Sequence, residues 1–97
     1  MGFDESMGLE WDDEKSSLCK RRRGYLLQDL AKMVFASPVG EYTHRDYPEQ
    51  IRLVGMADSK FYTLVFEEIE DDLGYYKHLI TYWESEEWEV KAVKVKK

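Results

Sequence analysis

Phe61-Tyr62-Thr63-Leu64-Val65-Phe66 is nearly continuous apolar. A run of that length, rich in aromatic and β-branched residues, predicts the central strand of a sheet, extended to Ile69. Working outward, Val39 to Thr43, Ile51 to Met56 and Tyr75 to Trp83 carry the same residue types at a period of two. The breaks between them are short. His44 to Glu49, with Pro48, reads as a polar loop, Ala57-Asp58-Ser59 as a tight hairpin, and Asp71-Asp72-Leu73-Gly74 as another turn. Strands in this order with short turns predict an antiparallel meander.

Upstream the period changes to that of a helix. Leu26, Leu30, Met33 and Val34 fall on one face, with Leu27 and Phe35 beside it, and Ser37-Pro38 stops the helix. Before it, Asp12 or Asp13 supplies an N-cap, and Lys20 to Arg23 complement the dipole at the other end. Gly24 follows as a residue able to take a positive φ. Gly8 to Trp11 reads as a short strand, and residues 1–7 as a flexible tail. At the other end Ser85-Glu86-Glu87 starts a helix, although Trp88, Val90 and Ala92 also alternate as a strand would. The helix is preferred. The expected order is β-α-α-β-β-β-β-α: an α+β domain over residues 1–97, with two N-terminal helices and a C-terminal helix packed on one face of a mainly antiparallel sheet of four to five strands.

Composition narrows the function. The 97 residues are 43% hydrophobic and 35% charged, which excludes collagen-like and extensively disordered chains. No apolar run reaches the roughly 20 residues that span a bilayer. The acidic start argues against a secretory signal, and one cysteine, Cys19, cannot form an internal disulfide, so a cytoplasmic location is expected. Fourteen basic against twenty acidic residues give a net charge of −6. That disfavours nucleic-acid binding by the whole surface, because phosphate neutralisation supplies most of such affinity. A local patch stays open, since Lys20-Arg21-Arg22-Arg23 are consecutive. The same four cations could equally be a solvated helix end or an anchor for an acidic partner.

Residue types that carry chemistry are few. His78 is the candidate acid–base group, although a half-buried strand histidine without a role fits the pattern as well. Lys77 and His78, adjacent on one strand, should point to opposite faces. Cys19, His44 and His78 lack zinc-ligand spacing, and Glu67, Glu68, Glu70, Asp71 and Asp72 lack the spacing of a calcium loop. No phosphate loop, dinucleotide fingerprint or nucleophile elbow is present. No cofactor or metal is therefore expected.

Leu9-Glu10-Trp11-Asp12, then Lys15, then a basic pair before Gly24, resembles the F-x-W-D…K…K-H-G opening of the BrnT family, toxins of type II toxin–antitoxin modules with a RelE-like ribonuclease fold. Ala31 to Pro38, A-K-M-V-F-A-S-P, is similar to that family's A-x-x-V-F-x-D-P. Leu53-Val54-Gly55, Leu64-Val65-Phe66 and Ile80-Thr81 resemble its later strand motifs, so the likeness spans roughly residues 9 to 90. The chain also departs from the pattern. Arg22-Arg23-Gly24 stands at the K-H-G step, and Ile69 and Trp83 stand where the family carries arginines.

The resemblance implies a RelE-like fold and metal-independent RNA cleavage, in which a base activates the ribose 2′-hydroxyl and cations stabilise the transition state. Carried onto this chain, Arg22, Arg23 and Lys60 would bind phosphate while His78 moves a proton. A cognate antitoxin would be the protein partner and RNA the substrate. The thinned set of arginines leaves a second expectation, a catalytically degenerate relative acting as a protein- or RNA-binding module. Exposed strand edges and the aromatic tail further suggest an oligomer or partner interface.

Overall fold

A computed structural model describes residues 1–72 and 74–95. In chain order the elements are β1 (Gly2–Asp4), β2 (Leu9–Trp11), α1 (Asp13–Arg23), α2 (Leu27–Ala36), β3 (Pro38–His44), β4 (Tyr47–Ala57), β5 (Lys60–Asp71), β6 (Gly74–Glu84) and α3 (Glu87–Val95). Among the described residues the fold is α+β: three helices and one mixed, six-stranded sheet ordered β1-β2-β6-β5-β4-β3. Every strand pair is antiparallel except β2 with β6.

Local signals act where they were expected. The Asp12 carboxylate accepts the Lys15 amide at 3.0 Å and caps α1. Gly24 closes the helix at φ +97, its amide donating to the Lys20 carbonyl. Asp58 and Ser59, both at positive φ, make the two-residue turn between β4 and β5 that matches the twist of a hairpin. α2 lacks a side-chain cap of its own. Instead the buried Ser16 hydroxyl on α1 accepts the Leu27 amide at 3.0 Å. Tyr82 fixes the link between the two helices from the sheet, accepting the Tyr25 amide at 3.1 Å and donating to the Tyr25 carbonyl at 2.7 Å.

Three expectations need correcting. Residues 1–7 are not all tail, because Gly2–Asp4 pair antiparallel with Leu9–Trp11. The returning loop is held by Asp4, whose Oδ1 accepts the Ser6 amide and hydroxyl, and by an ion pair from Asp4 Oδ2 to Lys32 on α2 at 2.9 Å. The strand count is thus six, one above the expected range. The polar loop around Pro48 also shrinks to Arg45 and Asp46. Proline, which has no amide hydrogen, is tolerated there because the β4–β5 ladder begins only at Gln50. The predicted turn before β6 includes Leu73, which lies outside the described residues.

The third correction concerns α3. Tyr62, Leu64 and Phe66 of β5 join Leu53, Leu79 and Tyr82 in a core closed by α1 and α2 through Cys19, Leu27, Leu30, Ala31 and Val34. Gly55 lets α2 approach; a Cβ there would stand 2.9 Å from the Val34 carbonyl oxygen. α3 packs on the other face, with Val93 against Gly40 and Glu89 bonded to Thr63 and Tyr42. Strand alternation explains why: Thr63, Tyr42 and Trp83 point away from α2 and offer the polar groups that receive Glu89.

Candidate functional site

The sequence-predicted residues do not meet. Lys20 to Arg23 form the last turn of α1 and are exposed, with the Arg23 guanidinium 6.0 Å from the Tyr82 ring centroid. None of the ion pairs among the described residues uses them. Lys60, also exposed, starts β5 and lies 4.0 Å from Glu84. These cations share one end of the sheet, since Tyr25, just past α1, donates to Asp58 in the β4–β5 turn. His78 belongs elsewhere. It is paired with Glu67, which lies roughly 23 Å along β5 from Lys60 at the rise of an extended strand. It also faces away from α1, for Lys77 beside it points to Phe35 of α2, 5.8 Å from ring centroid to Nζ.

What surrounds His78 is a transverse row. Phe3 is registered with Glu10, Glu10 with His78, His78 with Glu67, and Glu67 with Gln50, across five strands. Neighbouring strands lie about 4.8 Å apart, so two carboxylates flank the imidazole on the same face. The closer one is bonded: Glu10 Oε1 is 2.7 Å from His78 Nδ1, and both side chains are mostly buried. Beside the pair opens a cleft of about 300 Å³ lined by Phe3, Glu10, Tyr75 and Tyr76. The Phe3 and Tyr76 rings meet edge to face with centroids 6.0 Å apart. Burial, followed by the charges of Asp71 and Glu10, pushes the Tyr76 hydroxyl above its ordinary value. The Glu10 and Asp71 carboxylates thus lie near this hydroxyl, while the Lys77 ammonium lies 5.0 Å from the Tyr75 ring centroid.

The other half of this face is closed by α3. Glu89 is 1% exposed and its carboxylate accepts from Thr63 at 2.6 Å, Tyr42 at 2.7 Å, the Trp83 indole at 2.9 Å and the Glu86 amide at 2.9 Å. Burial pushes its carboxyl up, but the Glu86 amide and the three side-chain donors outweigh that and hold it below its ordinary value. Burial and the Glu89 carboxylate in turn push the Tyr42 hydroxyl up to about 12, against Arg52. The Arg52 guanidinium stacks near Tyr42 and Trp83, 5.8 and 5.3 Å from their centroids. Its Nε is buried without a hydrogen-bond partner among the described residues. That cation is committed to its neighbours.

An open trough of about 670 Å³ runs along α1, lined by Asp13, Glu14, Ser17, Lys20, Arg21 and Leu26. It mixes both charge signs, and its lining includes no histidine. Among the described residues no cluster of His, Cys, Asp and Glu has the geometry of a metal site. Nor, among them, is any helix long and apolar enough to cross a membrane.

No family model, curated protein or solved structure matches the chain. Its site must be read from its own residues. His78 stands out in the sequence as an acid–base candidate, whereas Glu10 and Phe3, which the strand register brings beside it, do not. The only local trace is the alternation of Leu9, Glu10 and Trp11, which turns Glu10 away from the α2 core.

Proposed function

We propose that this chain is a divergent BrnT-like protein on a RelE-like scaffold that works by binding a protein partner and carries no ribonuclease centre. The row around His78 carries this reading. Cleavage at a ribose 2′-hydroxyl develops negative charge on phosphate and needs cations aimed at it. Here the one acid–base candidate stands between Glu10 and Glu67, while Arg22, Arg23 and Lys60 lie at the far end of the sheet. Two carboxylates repel the phosphate that His78 would have to serve. The net charge of −6 repels it further. The order of elements from β2 to α3 supports the scaffold.

A second reading keeps the toxin: an endoribonuclease restrained by a cognate antitoxin. The run Lys20 to Arg23, which enters no ion pair among the described residues, favours it, because such cations are available to RNA phosphates. Induced expression of the chain alone in a bacterium separates the two. Normal growth with intact RNA, in cells accumulating soluble folded protein, is the expected result. Growth arrest with fragmented RNA, relieved by His78→Ala, would replace the binding reading with the toxin.

A further inference from the structure

We infer that the cleft beside the His78–Glu10 pair is a receptor for one organic cation, the guanidinium or ammonium group of a basic side chain presented by a protein partner. This rests on the reading of the chain as a protein-binding module and names what that module recognises. Three observations carry it. The cleft, at about 300 Å³, lies at the small end of binding cavities and suits a single long side chain. Its walls include Phe3 and Tyr76, aromatic groups whose ring faces attract cations. The one charged residue in its lining is Glu10, whose Oε1 is 2.7 Å from His78 Nδ1 while Oε2 has no hydrogen-bond partner among the described residues; the Lys77 ammonium lies 5.0 Å from the Tyr75 ring centroid.

The surroundings favour a segment of a partner over a free amine. Phe3 belongs to β1, the outermost strand of the sheet, so backbone groups along that edge have no neighbouring strand among the described residues. Phe3 is 52% exposed, a large ring left in water at the rim of the cleft. An extended segment whose basic side chain enters the cleft can pair along β1 and cover Phe3 together, the usual form of strand addition. The cation supplies specificity, and the edge supplies contact area.

The test uses the full chain and three probes followed by amide and aromatic NMR shifts: N-acetyl-arginine amide, its neutral isostere N-acetyl-citrulline amide, and a short peptide with one central arginine among serines and glycines. Saturable shifts at Phe3, Gly8 and Tyr76 are expected for the arginine amide, with tighter binding by the peptide. Glu10→Gln, which can still bond His78, should weaken both by about tenfold through loss of the charge. Phe3→Ala, at an exposed ring, tests the aromatic wall without disturbing the core and should weaken the peptide most. No saturable shift, or equal shifts with citrulline, would overturn the cation receptor. Equal affinity for the amide and the peptide would overturn the partner segment and leave a small free cation as the ligand. Growth arrest in the expression experiment removes the binding-module reading and leaves these shifts unaltered, so the two failures are distinguishable.

Discussion

The two faces of the sheet are built on different principles. The face under α1 and α2 is mainly apolar: Leu64, Leu79, Leu27, Leu30 and Val34 are each at most 1% exposed, and the Ser16 and Tyr82 hydroxyls are spent on the link between the helices. The face toward α3 buries polar groups as well as apolar ones, for Thr63 and Glu89 are as inaccessible as those leucines and lie on the same side as the buried Val54 and Val93. The first face is held chiefly by area removed from water, whereas the second also depends on a buried set of directed hydrogen bonds. Apolar burial tolerates small displacements, whereas a buried carboxylate is stable only while its donors stay in place. A chain can thus keep its fold on the first face and vary its chemistry on the second.

Truncating Leu64 to alanine tests the apolar face and should have the largest effect. The residue is fully buried in the middle strand, so the loss of transfer energy plus the cavity should cost about 2–5 kcal/mol in denaturant unfolding. A cost below about 1 kcal/mol would mean that α2 collapses onto the gap, and that this core is less closely packed than its burial indicates.

Glu89→Gln probes the polar face. The variant keeps the shape but turns an acceptor of four donors into a group that must place two hydrogens of its own. About 2 kcal/mol should be lost at neutral pH, the scale of a disrupted charged hydrogen-bond set. The pH dependence gives the sign. Because the folded carboxyl lies below its ordinary value of 4.5, its contribution is complete above that pH and disappears as pH falls through the lower folded value. The gap between wild type and variant should therefore narrow in acid. A gap independent of pH from neutrality down to strong acid would show that the glutamine disturbs packing and that ionisation is irrelevant.

The first face was legible in the sequence and the second largely was not. Leu26, Leu30, Met33 and Val34 announce a helix by spacing, and Asp12 and Gly24 announce the limits of another through their own backbone chemistry. Such signals act within a few residues. Glu10 meets His78 only through a parallel pairing between strands far apart in sequence, and no local pattern states that register. α3 was placed on the wrong face for a related reason. A helix read from Ser85-Glu86-Glu87 says nothing of which side of the sheet the chain turns to after Glu84. Asp12→Ala measures a purely local signal. Removing the cap of α1 should cost about 1 kcal/mol with little change in the sheet's amide spectrum. A loss several times larger would mean that α1 orders the face behind it.

The smallest expected effect bears on the strand that local reading took for a tail. β1 spans three residues, too few to be held by ladder bonds alone, and its anchor is Asp4. The Ser6 hydroxyl, then Lys32, lower the Asp4 carboxyl from 3.8 to about 2. A depressed carboxyl stabilises the folded form above its ordinary value and ceases to do so as pH falls through the folded one. β1 should therefore loosen progressively as pH falls from about 3.8 to about 2. Lys32→Met removes the cation but leaves Ser6, the larger contributor. The Asp4 midpoint, followed by carboxyl NMR, should rise from about 2 yet stay below 3.8, and the Phe3 amide should exchange faster while the melting temperature is unchanged. A midpoint that stays at about 2 would assign the anchor to Ser6 alone, so that α2 would no longer connect the two faces through β1.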